Sequence, residues 1–387
     1  MILIYEDEFY KNLFPLTYLH PVFELRVGLF SPLERILKFY PSSALTLLVR
    51  EELEEVMRER YPNLNVIAQK REVSDLIKET SLFLSGRALL LEKIPPEGDD
   101  SLFLSQDGDL IGFRIKKGKA SLPLKAEKVR AFSFKNLWDL IPLNEKLLPL
   151  DFPKGKIEGL LDKGVIILGD RKKLFVGKGA KVFPGNVLNL EKGFIYIDEE
   201  AEIFPFSYLE GPCYIGKRTK IFGAKIRQFA NIGEECRIGG EIESSILMAF
   251  VNKYHEGFLG HSYIGEWVNL GAGTNNSDLK NNYTTVKIQI GRKRIDTGQL
   301  KLGCFIGDHV KTAIGTRIPA GAVIGIFANI VAEGFCPKSL PNFYWREGQR
   351  WEMEKAIATA RGMMARRGKE LTKGEESLIR YYAQLKG

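Results

Sequence analysis

Between residues 306 and 330 a branched residue returns at every sixth position: Ile306, Thr312, Ile318, Ile324 and Ile330. The same step appears at Val176, Val182 and Leu188, and again at Ile197, Ile203, Leu209, Ile215 and Ile221. After a slip of one residue it resumes at Ile226, Ile232 and Ile238. An amphipathic helix repeats its apolar face every 3.6 residues and a half-buried strand every two, so a step of six fits neither. It predicts a hexapeptide β-helix. Each six residues form one side of a triangular coil, with the aliphatic position inside and small or turn-forming residues at the corners.

The chain outside these runs reads differently. In residues 1–150 the apolar runs Met1–Tyr5 and Ala44–Val49 suit buried strands, and 31–40 and 50–61 carry helical spacing. Ser31 and Pro32 fit an N-cap and a first helical position. Further runs at 65–68, 81–86 and 87–92 alternate with Pro, Gly and Asp, which predicts an α/β domain with a mostly parallel sheet. A linker near 146–160 leads into the β-helix, expected over 160–341. The six-residue step fails at 246–262 and at 276–300; long insertions in a solenoid commonly carry function. Residues 342–387 predict two helices joined near Gly368, expected to cap the open end of the coil.

Composition narrows the setting. With 387 residues, 44% hydrophobic and 27% charged, the chain has the make-up of a soluble globular protein. No signal peptide or membrane-spanning run is visible, which points to the cytoplasm. Cys213, Cys236, Cys304 and Cys336 are too scattered for a zinc site or a disulfide framework. The net charge of +8 comes with no nucleic-acid motif, so anionic metabolites are the expected partners rather than nucleic acid or membrane.

Residues 252–287, NKYHEGFLGHSYIGEWVNLGAGTNNSDLKNNYTTVK, carry a specific motif set, and 15–35, PLTYLHPVFELRVGLFSPLER, a second one. Both resemble the GlmU-like family, bifunctional proteins joining UDP-N-acetylglucosamine pyrophosphorylase to glucosamine-1-phosphate N-acetyltransferase. The resemblance extends over nearly the whole chain. It implies an α/β nucleotidyltransferase-like domain followed by a left-handed parallel β-helix, a homotrimer, and acyl-transfer sites between subunits. The co-substrates it implies are an amino-sugar phosphate and acetyl-CoA, with a nucleoside triphosphate and Mg²⁺ only if the N-terminal domain is active.

His261 stands in Leu-Gly-His-Ser beside a break in the repeat. Acetyl transfer to an amine requires a base for the amine proton, and a neutral imidazole suits that task. By residue type alone a structural histidine is the alternative; the resemblance assigns it the general base. Asn269 matches a sugar-contacting asparagine, or else an asparagine at a solenoid corner. Asn282 and Tyr283 match an Asn-Tyr pair contacting substrate and acetyl-CoA. Lys287 and Arg227 match cations for the sugar phosphate, a solvated charge being the alternative for Lys287. Thr312 and Ala328 fall in the expected coenzyme A groove, flanked by Lys311 and Arg317. The lysine pair the family carries before its base is absent, and Lys253 and His255 are the candidate replacements.

The N-terminal domain departs further from the family. No glycine-rich phosphate loop follows the first strand, where Glu6, Asp7 and Glu8 stand instead, and Ser85-Gly86-Arg87 occupies the place of the metal-binding aspartate. The metal ligands are therefore unknown. Arg26 and Arg35 are candidates for phosphate contact, with ion pairs to Glu24 or Glu34 as the alternative. The expected function is acetyl-CoA-dependent N-acetylation of an amino-sugar phosphate in sugar-nucleotide biosynthesis, with or without nucleotidyl transfer. Two other readings stay open: a nucleotidyltransferase whose coil serves only assembly, and a regulatory homologue without catalysis.

Overall fold

The computed structural model describes residues 1–69, 81–116, 124–290, 293–332 and 334–385. The chain forms two compact units. The first holds Met1–Arg26, Phe30–Leu137 and the C-terminal helical residues from Ile357; the second holds Val27–Leu29 and Trp138–Ala356.

In the first unit, β1 (Ile2–Tyr5), β2 (Leu45–Val49), β3 (Asn65–Ala68) and β4 (Ser81–Ser85) run parallel. With β5 (Ser101–Leu104), β6 (Leu110–Ile115) and β7 (Lys125–Lys128) they make a seven-stranded sheet of order β3-β2-β1-β4-β6-β5-β7. Helix α1 (Pro32–Phe39) begins as the sequence predicts: Ser31 Oγ accepts from Glu34 N, and the Glu34 carboxylate accepts from Ser31 N. That reciprocal cap uses Glu34, and Glu24 is engaged by His20 and Arg60. Helix α2 (Glu54–Arg60) returns the chain to β3.

The second unit starts with α3 (Leu140–Asp151), where the sequence places only the end of a domain and a linker. From Lys156 the chain coils. Three parallel sheets of ten, nine and six strands form the sides of the left-handed β-helix. Inward positions stack into one column of aliphatic residues, with Ile203, Ile221 and Ile238 completely buried. Each inner strand of these sheets finds its hydrogen-bond partners on the coils before and after, so ladder and core are built by the same repetition.

Coil length is not constant. Leu174 pairs with Ile195, a step of 21 residues, whereas Asn231 pairs with Ile246, a step of 15. The stretch 246–262, anticipated as a break, is a regular turn of the coil with strands at Ile246–Leu247, Asn252–Lys253 and Phe258–Gly260. Its period is hidden because Lys253 occupies the inward position that pairs with Ile238, and because the coil there is short. Only 276–300 leaves the repeat, and it folds into an antiparallel hairpin of Lys287–Ile290 with Lys293–Asp296.

Large outward residues of the ten-stranded face are covered. Tyr263 and Phe305 are fully buried, and Asn144 of α3 accepts a hydrogen bond from Asn231 at 2.7 Å. At one corner, rings on successive coils stack in left-handed conformations: Phe250 on Trp267 at 4.0 Å, His309 on Phe327 at 4.4 Å, and Phe327 on Phe343 at 5.2 Å. Stacking offsets the cost of a positive φ at residues that are not glycine.

The C-terminal pair differs from the expected cap. Phe343 and the segment to Trp351 close the last coil, with Phe343 N donating to Ile326 O. Helices α4 (Met353–Ala365) and α5 (Lys373–Gln384) follow. Helix α5 packs on α2, where Glu59 accepts from Gly374 N at 3.1 Å and Tyr382 Oη accepts from Arg50 at 2.9 Å. No helix among the described residues is long and apolar enough to cross a membrane.

Truncating a core side chain in one coil weakens both neighbours. Ile242→Ala, at a completely buried position, is expected to cost about 2–5 kcal/mol. A drop in the urea midpoint of the coil's unfolding transition checks this.

Candidate active site

One edge of the β-helix gathers the chemistry. Asn189 pairs with Glu210, and Glu243 with Gly260, in the ladder of the six-stranded face. Arg227 stands in the same column between Glu210 and Glu243. At the corner after Gly260, His261 takes a left-handed conformation with φ 49°. Its backbone N–H donates to Glu243 O at 3.0 Å, which fixes it above that residue. One coil later, Asp278 lies against the imidazole, with His261 Nδ1 and Asp278 Oδ2 2.7 Å apart.

Burial raises the Asp278 carboxyl pKa, but the hydrogen bond and charge of His261 and the charge of Lys301 outweigh it and hold the group below the usual range. An ionised carboxylate accepts only, so His261 Nδ1 carries the donated proton. That tautomer leaves Nε2 as the basic nitrogen. Both side chains are nine-tenths or nearly so withdrawn from solvent, at 11% and 14% exposure.

The surroundings hold this pair still. A β-carbon at Gly260 would stand 2.4 Å from Phe258 Cζ and 2.6 Å from Asp278 Oδ2, so any side chain there would have to displace the ring and the carboxylate. Asn276 points inward where the repeat elsewhere puts an aliphatic residue. Its amide accepts from Gly260 N at 2.8 Å and donates to Gly260 O at 2.9 Å. Ser262 Oγ accepts from Cys304 N at 2.9 Å. The insertion leaves the coil at Asp278 and rejoins it beside the same pair: Leu302 N donates to Asp278 O and Gly303 N to His261 O, both at 2.8 Å.

Other residues singled out in the sequence fall around this edge unequally. Arg227 donates to Glu210 at 3.3 Å and Glu241 at 3.1 Å. Asn282 accepts from Thr284 Oγ1 at 2.9 Å; Tyr283 is 72% exposed, and Lys287 pairs with Asp296 at 3.8 Å. Asn269 lies on the nine-stranded face beside Asn252, so one chain does not bring it to His261. Thr312 and Ala328 require correction as coenzyme contacts. Thr312 Oγ1 is used inside the coil by Thr274 and Gly271 N, and Ala328 is completely buried in the core. Lys311 Nζ donates to His309 O at 3.1 Å and lies over the Trp351 ring, and burial pushes its pKa down to about 8. Arg317 lies over Phe335.

Lys253 is also corrected. It is 1% exposed and donates to Gly239 O and His255 O, with burial lowering its pKa to about 8. It cannot meet a phosphate outside the coil. Asp278 escaped sequence reasoning because it is one acid in a polar, Asn-rich run. The readable signal was spacing: from 261 to 278 is 17 residues, as from Glu243 to Gly260.

At the carboxyl ends of β1 and β4, where open α/β sheets bind nucleotides, the first unit is filled by its own side chains. Glu6 accepts from Val22 N at 2.9 Å and Arg50 Nε at 3.1 Å. Asp7 accepts from Arg87 Nε at 2.9 Å, and Arg87 also donates to Phe134 O. Gly86 leaves room for Val22, whose Cγ2 would stand 2.8 Å from a β-carbon there. Arg26 is half-buried at the end of the unit's first segment. With both carboxylates tied to arginines, these residues do not make a Mg²⁺ site, and the described residues hold no cluster of three acidic, His or Cys ligands.

Residues 2–156 match the family model described as "Sugar nucleotidyl transferase". A bifunctional sugar-1-phosphate nucleotidylyltransferase/acetyltransferase of Sulfurisphaera tokodaii is 40% identical over 157 residues, 38% of this chain and 39% of that protein. The bifunctional protein GlmU of Methanocaldococcus jannaschii is 29% identical over 213 residues, covering 52% and 45%. The chain thus spans less than half the length of these relatives. Among solved structures, a UDP-N-acetylglucosamine acyltransferase from Campylobacter jejuni is 12% identical over 60% of this chain and 97% of its own, at a TM-score of 0.24, too low to bear on function. Residues 2–156 match the sugar nucleotidyl transferase family model, and a chain that joins them to a hexapeptide β-helix resembles the GlmU-like bifunctional proteins.

Proposed function

We propose that the β-helix transfers an acetyl group from acetyl-CoA to the amine of a phosphorylated amino sugar, in sugar-nucleotide biosynthesis. The observation that carries the reading is the buried His261–Asp278 pair, a base with its proton already assigned. Nε2 of His261 removes a proton from the sugar amine. The amine attacks the thioester carbonyl, the tetrahedral intermediate expels the coenzyme thiolate, and the imidazolium returns the proton to sulfur. Asp278 orients the ring and stabilises its charged form. Arg227 and Lys287 are the proposed cations for substrate, with Asn282 and Tyr283 contributed by the exposed loop.

The acyl-transfer site is proposed to form between copies in a homotrimer. Support comes from the split of His261 and Asn269 onto different faces, which a neighbouring copy would reunite. The four buried free cysteines suit the reducing cytoplasm. Nucleotidyl transfer from a nucleoside triphosphate in the first unit is a second reading, favoured by the family match over 2–156; pyrophosphate release from UTP and a sugar 1-phosphate tests it.

His261→Ala is expected to cut thiol release from acetyl-CoA with glucosamine 1-phosphate by about 10²–10⁴-fold, while the protein stays folded by circular dichroism. Turnover at the level of the unaltered protein would sink the reading. Gly260→Ala, by pressing on Asp278, is expected to lower kcat with little change in the melting temperature of the first unit.

Asp278→Asn separates the ionic role from the shape of the side chain. The folded pKa of Asp278 lies below its unfolded value, so its pairing stabilises the fold at higher pH and is lost as pH falls through the depressed value. The variant is therefore expected to melt earlier than the unaltered protein at pH 6. The gap should close as pH drops below about 4, as thermal melts across that range would show.

A further inference from the structure

We propose that Phe258 is a positioning residue for the base: its ring covers the bond between Asp278 and His261 Nδ1 and keeps water away from it. The inference deepens the acetyl-transfer reading above and rests on it. Phe258 opens the strand that leads to His261, and its side chain folds forward along that strand. A β-carbon on Gly260 would meet Phe258 Cζ at 2.4 Å, Asp278 Oδ2 at 2.6 Å and Phe258 Cε1 at 2.7 Å. Ring edge and carboxylate therefore share the space over Gly260. Oδ2 is also the oxygen 2.7 Å from His261 Nδ1, so the ring borders the hydrogen bond itself. An aromatic edge carries the positive side of the ring's quadrupole and tolerates a carboxylate oxygen. Nε2 lies across the imidazole from Nδ1, so this cover leaves the basic nitrogen open.

The coil departs from its own pattern to put the ring there. Phe258 pairs with Glu241, and Glu241 with Lys225, so an aromatic residue follows two charged ones in this outward column. Backbone pairing on the six-stranded face stops at the same strand. The next strand, Asn275–Asn276, pairs onward with Arg317–Ile318 and reaches back through its side chains. Asn275 Oδ1 accepts from Phe258 N at 2.7 Å, while the Asn276 amide brackets Gly260. Side-chain amides thus stand in for the peptide groups of a ladder, and ladder spacing no longer sets the distance between these two coils. That leaves room for a ring and a carboxylate together over Gly260. The ring is half-buried, and the Asp278 side chain beside it is 14% exposed. Excluding water from such a pair strengthens its hydrogen bond and holds the imidazole in one orientation.

The test uses the full chain with Phe258→Ala and Phe258→Leu. The first measurement is the exchange of the His261 Nδ1 proton with water, followed by NMR on histidine-labelled protein. Phe258→Ala is expected to speed this exchange about tenfold or more, and Phe258→Leu, which keeps an apolar cover, to restore slow exchange. The second is free thiol from acetyl-CoA and glucosamine 1-phosphate. There Phe258→Ala is expected to lower kcat about tenfold with little change in either KM, and Phe258→Leu to recover most of the loss. Exchange as slow in Phe258→Ala as in the unaltered protein overturns the proposal, and so does a fall in kcat that Phe258→Leu shares in full. Phe258 lies outside the aliphatic column, so its replacement spares the core of the coil. Should Phe258→Ala not fold, Phe258→Gln, which brings water-binding groups to the same place, takes its part in both measurements. If the unaltered protein releases no thiol, the acetyl-transfer reading fails by itself, and proton exchange alone decides whether Phe258 covers the pair.

Discussion

Everything in the second unit depends on one constraint: each turn of the coil must return its backbone to the hydrogen-bonding edge of the turn before. Parallel pairing fixes which residues stack, so a side chain's neighbours are set by coil length and not by its neighbours in sequence. Inward positions then form a continuous aliphatic column. Outward positions form columns of their own: one runs through Glu210, Arg227, Glu243 and Gly260, and the His261–Asp278 pair stands at the corner beside it. Function arises where that regularity is locally replaced. Asn276 supplies from its side chain the hydrogen bonds that bracket Gly260, and a hairpin departs immediately afterward.

The same repetition explains why the site is rigid. A histidine on a free loop would sample many rotamers. Here its backbone is fixed from below by Glu243 and from above by Gly303, and its ring by Asp278. The glycine before it leaves room for both the Phe258 ring and the Asp278 carboxylate, which a β-carbon would displace. The first unit shows the opposite use of charge. At its strand ends, acids and arginines neutralise one another in a buried network that Tyr382 of the C-terminal helix joins through Arg50 and Glu52. Burial raises the Glu6 carboxyl pKa, opposed by Arg50 and the Val22 amide. Such a network ties α5 to the sheet and leaves little there for an incoming phosphate.

How much of this could be read in advance followed from range of interaction. The six-residue step at 306–330 is a local pattern, and the coil it predicts is present. The capping box at Ser31 and Glu34 is local too. The stretch 246–262 defeated the same reasoning because Lys253 stands where an aliphatic residue was sought, its amine satisfied by two carbonyls. Thr312 was read as a groove residue although the step itself marks an inward position. Asp278 meets His261 one coil on, where an insertion leaves and rejoins the coil, and the docking of α5 on α2 joins residues more than 300 apart. No periodicity encodes the docking of α5. A coil step of 17 residues, applied from His261, would have reached Asp278.

The central claim is that Asp278 holds His261 with its proton on Nδ1 and Nε2 free to act as base. Nitrogen-15 NMR of histidine-labelled protein at pH 8, with His261→Gln to assign the signal among four histidines, measures that directly. A neutral imidazole with a protonated Nδ1 and a bare Nε2, lost in Asp278→Asn, is the result expected. A neutral ring protonated on Nε2, or one indifferent to Asp278→Asn, would contradict it.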